Sequence, residues 1–177
     1  MALMEVNFFS KALMRPVTMN IILPADKVFF EEETEEENKP FKTLYLLHGV
    51  MGNYTDWVTG TCIKRWAEEK NLAVVMPSGA NMFYMDHPNA SENYSEFIGK
   101  ELVKITRRMF PLSHKKEDTF IAGLSMGGYG AIRNGLKYHD TFGYIAGLSS
   151  AMILEKMGTA DDSSPMFFEK KSFLESV

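Results

Sequence analysis

Cysteine is almost absent from the sequence, which has Cys62 alone among 177 residues. A single cysteine excludes an internal disulfide and suits a reducing compartment, and we expect Cys62 to be a small buried side chain. Apolar runs long enough to cross a bilayer are also missing, and the N-terminus lacks the basic start and apolar stretch of a signal peptide. These absences favour a cytoplasmic protein with no membrane partner.

The sequence also lacks an excess of positive charge. Its 19 Lys and Arg residues face 23 Asp and Glu, which gives a net charge of −4, and six of the acidic residues lie in the run from Glu31 to Glu37. The rest of the chain is close to neutral, which argues against a nucleic-acid partner. Consecutive carboxylates repel one another and have no fixed scaffold, so we interpret the run as a solvated loop or hairpin tip and expect no metal there.

Apolar residues make up 45% of the chain, enough for one core, and the length fits a single domain over residues 1–177. Alternating stretches at Met4–Phe8 and Val17–Leu23 predict strands with one solvated face. Four later runs are apolar throughout, as in strands covered on both faces: Thr43–Leu47, Leu72–Met76, Phe120–Gly123 and Tyr144–Leu148. Helical spacing over Tyr94–Met109 and Met126–Tyr138 separates them. This alternation predicts an α/β fold, a three-layer αβα sandwich with a mostly parallel central sheet.

The most informative motif is Gly123-Leu124-Ser125-Met126-Gly127, which directly follows a predicted strand and precedes a predicted helix. A serine on such a tight turn needs small neighbours, because its backbone is strained and crowded. The turn lifts the hydroxyl out of the sheet, and the N-terminus of the helix favours negative charge there. We therefore expect Ser125 to be a nucleophile. The alternative is a Gly-rich turn that only packs a helix on a strand.

A second motif, His48-Gly49-Val50-Met51-Gly52, follows the predicted strand Thr43–Leu47. It therefore lies at the carboxyl edge of the sheet, where α/β proteins bind their ligands. Acyl transfer needs two donors aimed at the developing oxyanion, usually the amide after the nucleophile and one from such a loop. The predicted oxyanion hole is the pair of backbone N–H groups of Val50 and Met126. By itself, His-Gly after a strand also suits an ordinary turn.

Together these segments resemble the esterase D type of α/β-hydrolase, in particular its tributyrin-esterase branch. The similar phrases are Leu44-Tyr-Leu-Leu-His-Gly49 with Gly52, Asn53 and Trp57, then Val74-Val-Met-Pro77, then Thr119 to Ala131. The group also contains S-formylglutathione hydrolases and feruloyl esterases. The resemblance implies an α/β-hydrolase fold and hydrolysis of a small-molecule ester, with a short-chain acyl or aryl group, through an acyl-enzyme on Ser125. It implies no cofactor and no metal, and a substrate pocket lined by His48, Gly49, Phe83 and Tyr84.

A serine needs a base, and none is evident in the sequence. This fold places the acid and then the histidine after the nucleophile, but only His139 follows Ser125, roughly 20 Å away along a helix. His87, next to Asp86, is on the correct side of the sheet but is poorly placed to serve. Two further interpretations stay open: a glutathione thioester as the substrate, or a non-catalytic remnant that binds esters without turnover.

The resemblance also implies further strands that carry the acid and the histidine. We therefore expect a chain truncated within a lid-like insertion that begins at residue 150, with both residues beyond Val177 and with Asp161 and Asp162 too early to serve as the acid. An incomplete sheet leaves the strand Tyr144–Leu148 with a free edge, and free apolar edges pair with other chains. The expected further partner is a second copy of the chain.

Overall fold

The computed structural model describes residues 1–26, 39–87 and 92–152. Its strands are β1 (Ala2–Ser10), β2 (Arg15–Leu23), β3 (Lys42–Leu47), β4 (Leu72–Pro77), β5 (Asp86–His87), β6 (Glu92–Asn93), β7 (Thr119–Leu124) and β8 (Tyr144–Leu148). Its helices are α1 (Asp56–Gly60), α2 (Ile63–Glu69), α3 (Tyr94–Glu96), α4 (Leu102–Met109) and α5 (Met126–Lys137). A π-helical turn, Phe97–Glu101, joins α3 to α4, and a 3₁₀ turn, Lys116–Asp118, precedes β7.

Six strands form one sheet in the order β1-β2-β4-β3-β7-β8, and β5 pairs with β6 in a separate ribbon. β1 and β2 form an antiparallel hairpin, and β2 runs antiparallel to β4. The pairs β3–β4, β3–β7 and β7–β8 are parallel. The mostly parallel sheet predicted from alternating strands and helices is confirmed, and the carboxyl ends of β3, β4, β7 and β8 meet at one edge.

Apolar side chains pack on both faces of this sheet. On one face, α3, the π turn, α4 and α5 cover β3, β4 and β7, with Tyr45, Leu47 and Ile121 fully or almost fully buried. On the other face, α2 covers the same strands through Ile63 and Ala67. The three layers of the predicted sandwich are therefore present, and burial on both faces accounts for the continuous apolar runs.

Two predictions about burial are wrong. Cys62 is exposed, because it caps the start of α2 while Ile63 and Ala67 take the positions that face the core. All five residues of β8 are exposed, although the apolar run predicts cover on both faces. β8 is the last strand of the described sheet, and the described elements with extensive contacts to it are its neighbour β7 and helix α5.

Some predictions fall outside the described residues: the acidic run, Asp161 and Asp162, and all but the first residues of the insertion expected over 150–177. Among the described helices, none is both long enough and apolar enough to span a membrane.

Candidate active site

Ser125 stands between β7 and α5 in a conformation that few residues adopt. Its φ is 55° and its ψ is −113°, and a non-glycine residue with positive φ and such a ψ is strained. The surrounding structure must hold this strain. The side chain is half-buried at the carboxyl edge of the sheet, so its hydroxyl can be reached from solvent.

Glycines allow the strand and the helix to meet at this turn. A Cβ on Gly123 would lie 2.3 Å from the carbonyl oxygen of Gly127, and a Cβ on Gly127 would lie 2.4 Å from that of Leu47. Real Cβ atoms essentially never come so close to backbone. The two outer glycines of the motif therefore serve close packing, as the sequence predicts.

The backbone of Ser125 is clamped by the segment that follows β8. The Ser125 N–H donates to the carbonyl of Leu148 (2.9 Å), and the Ser125 carbonyl accepts from the N–H of Ala151 (3.0 Å) and of Tyr129 (3.0 Å). Ser150 fills the space beside Gly128. A Cβ added to Gly128 would lie 2.5 Å from the Oγ of Ser150. The sequence gives no clear signal for this clamp, because it depends on β8 lying beside β7.

The loop after β3 reaches the same edge and lies against Ser125. A Cβ on Gly49 would lie 3.7 Å from the Cβ of Ser125, an ordinary contact distance. Among the hydrogen bonds of the described residues, neither the Val50 N–H nor the Met126 N–H has a protein acceptor. Met126 opens α5, so its N–H is one of the free donors at a helix N-terminus. Val50 follows Gly49 and Met126 follows Ser125 in the chain, and neither N–H donates to another described residue.

His48 orients this loop. The Gly79 N–H donates to His48 Nε2 (2.8 Å), so Nδ1 carries the proton and donates to the Gly49 carbonyl (2.6 Å). That carbonyl belongs to the same planar trans peptide group as the Val50 N–H, and the two point in opposite directions. The imidazole therefore fixes the direction of the Val50 donor. Burial lowers the pKa of His48, against smaller opposing effects of the Gly49 carbonyl and Asp56, and the ring stays neutral.

Phe83 and Tyr84 lie in the loop after β4, and both are buried with positive φ. The Tyr84 hydroxyl donates to the His48 carbonyl (3.1 Å), and burial raises its pKa well above the ordinary value. Phe83 packs edge-on against Tyr129, with ring centroids 6.0 Å apart. Tyr84 therefore contacts the loop after β3, and Phe83 contacts the first turn of α5.

Asn134 is a positioning residue that the sequence interpretation missed. It is fully buried on α5, and its Nδ2 donates to the carbonyl of Tyr84 (3.0 Å), while its Oδ1 accepts from the hydroxyl of Ser95 (2.6 Å). The sequence does contain a signal for a buried amide that holds the backbone of another loop. It is a lone polar residue on the apolar face of a predicted helix.

No histidine of the chain stands ready to deprotonate Ser125, and all four lie in the described part. Both ring nitrogens of His48 are in use. His87 follows Asp86, whose carboxylate pairs with Lys137 (3.0 Å). Lys137 is in the last turn of α5, roughly 17 Å from the start of that helix, where Ser125 lies. His139 lies beyond the same end beside Asp140 (3.4 Å), and His114 lines a groove on the far side of α4. Within the described ranges, no three His, Cys, Asp or Glu side chains form a group that could hold a metal ion.

Ser125 stands on a strained strand-to-helix turn at the carboxyl edge of a parallel sheet, beside a loop whose Val50 N–H donates to no described residue. This arrangement is typical of the α/β-hydrolases. The sequence matches the model of the Esterase family over residues 10–176. The chain belongs to that family.

Proteins similar to this chain agree with this class. The chain is 50% identical over 159 residues to an acetyl esterase of Caldicellulosiruptor saccharolyticus, an alignment that covers 89% of this chain and 59% of the relative. It superposes on substrate-bound FphF, the fluorophosphonate-binding serine hydrolase F of Staphylococcus aureus, with a TM-score of 0.78 and 34% identity, over 99% of this chain and 66% of the other. The S-formylglutathione hydrolase FrmB of the same organism gives a TM-score of 0.77 and 33% identity, over 98% and 66%. The chain thus spans about three fifths to two thirds of the length of these relatives.

Proposed function

We propose that this protein hydrolyses carboxylic esters of short-chain acyl or aryl acids through an acyl-enzyme on Ser125. The observation that carries the proposal is the strained turn at Ser125, with Gly49 of the loop after β3 packed beside it. The acetyl esterase at 50% identity supports the same chemistry.

In the first step, Ser125 Oγ attacks the carbonyl carbon of the ester and its proton passes to a base. The carbonyl electron pair moves to oxygen, where the N–H groups of Val50 and Met126 stabilise the charge. The tetrahedral intermediate then expels the alcohol, which takes the proton from the protonated base, and an acyl-enzyme remains. Water, deprotonated by the same base, attacks the acyl-enzyme and releases the acid and Ser125.

The base is proposed to come from residues outside this 177-residue sequence, because none of its four histidines is placed to take the Ser125 proton. We propose that the loop bearing Phe83 and Tyr84 shapes the acyl pocket together with His48 and Gly49. An exposed cysteine without a disulfide fits a cytoplasmic location, and no cofactor is needed for these steps.

A fluorophosphonate probe tests the nucleophile directly. We expect peptide mapping to find the label on Ser125, with no labelling of Ser125→Ala. The control is Ser149→Ala, which removes an exposed serine at the same edge of the sheet and should label like the parent chain. Label on a serine other than Ser125 would refute the proposal.

Imidazole tests the origin of the base. The chain alone should react slowly with the probe and with p-nitrophenyl acetate, and added imidazole should accelerate both reactions except in Ser125→Ala. Rapid turnover without imidazole would refute an external base while leaving the nucleophile in place. A folded chain that binds esters but is never labelled would be the non-catalytic remnant.

A glutathione thioester is a second candidate substrate, favoured by the likeness to the S-formylglutathione hydrolase FrmB. The comparison is the ratio of kcat/KM for S-formylglutathione to that for p-nitrophenyl acetate, measured with the base supplied. A ratio well above one would assign the thioester, and a ratio below one the ester.

A further inference from the structure

The outer side of α4 carries a concentration of positive charge that the ester chemistry does not use. A groove of about 360 Å³ there is lined by Lys100, Lys104, Arg107, Arg108 and His114, together with Gly99, Val103 and Thr141. Among the described residues, no carboxylate lines it, although the chain as a whole has a net charge of −4. Cations gathered in one concave place repel one another and raise the local potential.

The Lys and Arg side chains of the groove are not neutralised by carboxylates of the described residues. Within the described ranges, none of Lys100, Lys104, Arg107 and Arg108 forms an ion pair with a carboxylate. Asp140, the residue before Thr141, lies beside His139 (3.4 Å). Lys104 and Arg108 are one turn apart on α4, a spacing at which like charges destabilise a helix. An anion in the groove would relieve this repulsion.

Arg107 is held as a rigid donor at the wall of the groove. Its Nε donates to the carbonyl of Ser113 (3.1 Å), and its Nη2 donates to the hydroxyl of Thr119 (2.8 Å). Both acceptors are neutral, so the guanidinium keeps its full charge, and Nη1 donates to no other described residue. A guanidinium fixed in this way loses little freedom when it binds a phosphate oxygen.

Helix geometry also favours a site here. Gly99 and Lys100 belong to the π-helical turn that precedes α4, and such turns are frequent at functional sites. The amine of Lys100 lies over the ring of Tyr138, 5.9 Å from its centroid. A neighbouring cavity shares His114 and adds Lys42, Lys70 and Lys115, and its one carboxylate among the described residues, Asp118, lies 3.8 Å from the Lys42 amine.

We propose that this groove binds a multiply charged anion of the phosphate class, a phosphate or diphosphate group of a small molecule. The site is separate from Ser125, since Thr141 of the groove follows the C-terminal end of α5, whereas Ser125 lies before the first residue of that helix. The proposal therefore does not depend on the ester chemistry.

Pyrophosphate is the probe for the first experiment, with the thermal unfolding midpoint and isothermal titration calorimetry as readouts. At ten times its dissociation constant, pyrophosphate should raise the midpoint by about 3–5 °C over sodium chloride of equal ionic strength. Lys104→Gln/Arg108→Gln should lose the shift and at least tenfold in affinity. The control, Lys11→Gln/Lys64→Gln, removes two exposed charges elsewhere and should bind like the parent.

Two results would overturn the proposal. Equal shifts in the groove variant and the control variant would mean a general effect of ions on the protein. Vesicles of phosphatidylcholine with phosphatidylglycerol form the second arm, because a lipid headgroup presents the same phosphate chemistry. Flotation with such vesicles, together with no heat from pyrophosphate, would assign the basic surface to a membrane and refute a site for a small anion.

Discussion

At the scale of single residues, Ser125 is held by backbone groups. Leu148, Tyr129 and Ala151 fix its peptide groups through hydrogen bonds, while glycines let the helix approach the strand. A strained backbone persists only where its surroundings over-determine it. Ser125 satisfies that condition, and the side chain remains available for chemistry.

Gly127→Ala should destabilise the protein by about 3 kcal/mol, because the new Cβ would lie 2.4–2.6 Å from the carbonyl oxygens of Leu47 and His48. Neither oxygen can move without shifting β3 or its loop. Gly60→Ala is the control, since nothing lies within 4 Å of its Cβ position, and it should change the free energy of unfolding by less than about 1 kcal/mol. Urea unfolding measures both. Equal effects of the two variants would contradict the packing at the turn.

His48 should make stability depend on pH. Protonated imidazole has no acceptor for the Gly79 N–H, and burial lowers the His48 pKa below its ordinary value of 6.5. The unfolded chain therefore takes up the proton first, and this contribution to stability is lost as the pH falls below about 6.5.

His48→Gln should lower the free energy of unfolding by about 1–3 kcal/mol at pH 7.5, because at least one buried partner of the ring is left unpaired. At pH 5.0 the gap to the parent chain should narrow, since the variant has nothing to titrate at this position. Urea unfolding at both pH values measures it. If the difference in free energy of unfolding between the variant and the parent chain were the same at both pH values, the neutral imidazole that the hydrogen bonds indicate would be contradicted.

At the scale of elements, the π turn between α3 and α4 changes which residues face the core. An i→i+5 turn adds a residue to the helix and shifts its phase. Tyr94, Ile98 and Leu102 are buried, as regular helical spacing predicts, but toward the end of α4 Thr106 is buried and Met109 is 44% exposed. Regular helical spacing predicts the opposite for Met109, so the error has a definite structural cause.

The same turn ends at Glu101, which fastens the β1–β2 hairpin. Its carboxylate accepts hydrogen bonds from the Ser10 hydroxyl (2.6 Å) and from the N–H groups of Lys11 (2.7 Å) and Ala12 (3.1 Å). Glu101→Gln should cost about 1.5–3 kcal/mol, because bonds to a charged acceptor are replaced by bonds to a neutral one. Faster hydrogen exchange at the Lys11 and Ala12 amides would localise the effect. Glu96→Gln, an exposed position one turn earlier, should change neither quantity.

At the scale of the whole molecule, the two ends of the main sheet differ. β1 alternates between half-buried and exposed residues, with Glu5 and Asn7 on its solvated face, as suits an edge strand. β8 at the other end has all five residues exposed and apolar, with Tyr144 at 63%. Apolar edges without charge are sites of strand pairing, so we propose that copies of this chain associate through β8.

Tyr144→Lys tests that association. A lysine on the edge strand should shift the chain toward monomer at micromolar concentration, because pairing would then bring two like charges together. The control is Leu136→Lys, which adds the same charge at an apolar position that is 64% exposed on α5 and should leave association unchanged. Light scattering gives the mass of each. A monodisperse monomer for the parent chain would contradict the proposal.

The sequence alone determined the α/β class, the turn at Ser125 and the loop at His48, because each depends on neighbours in the chain: periodicity, small residues and strand ends. Tertiary structure decided what depends on distant segments. The tautomer of His48 depends on Gly79. The hydrogen bonds that clamp Ser125 come from Leu148 and Ala151, and the exposure of β8 depends on what packs beside it. The histidines could be counted in the sequence, but their distance from Ser125 follows from how the helices cross the sheet. Local patterns fix the backbone turn of a nucleophile, whereas its partners come from side chains that only the folded chain brings together.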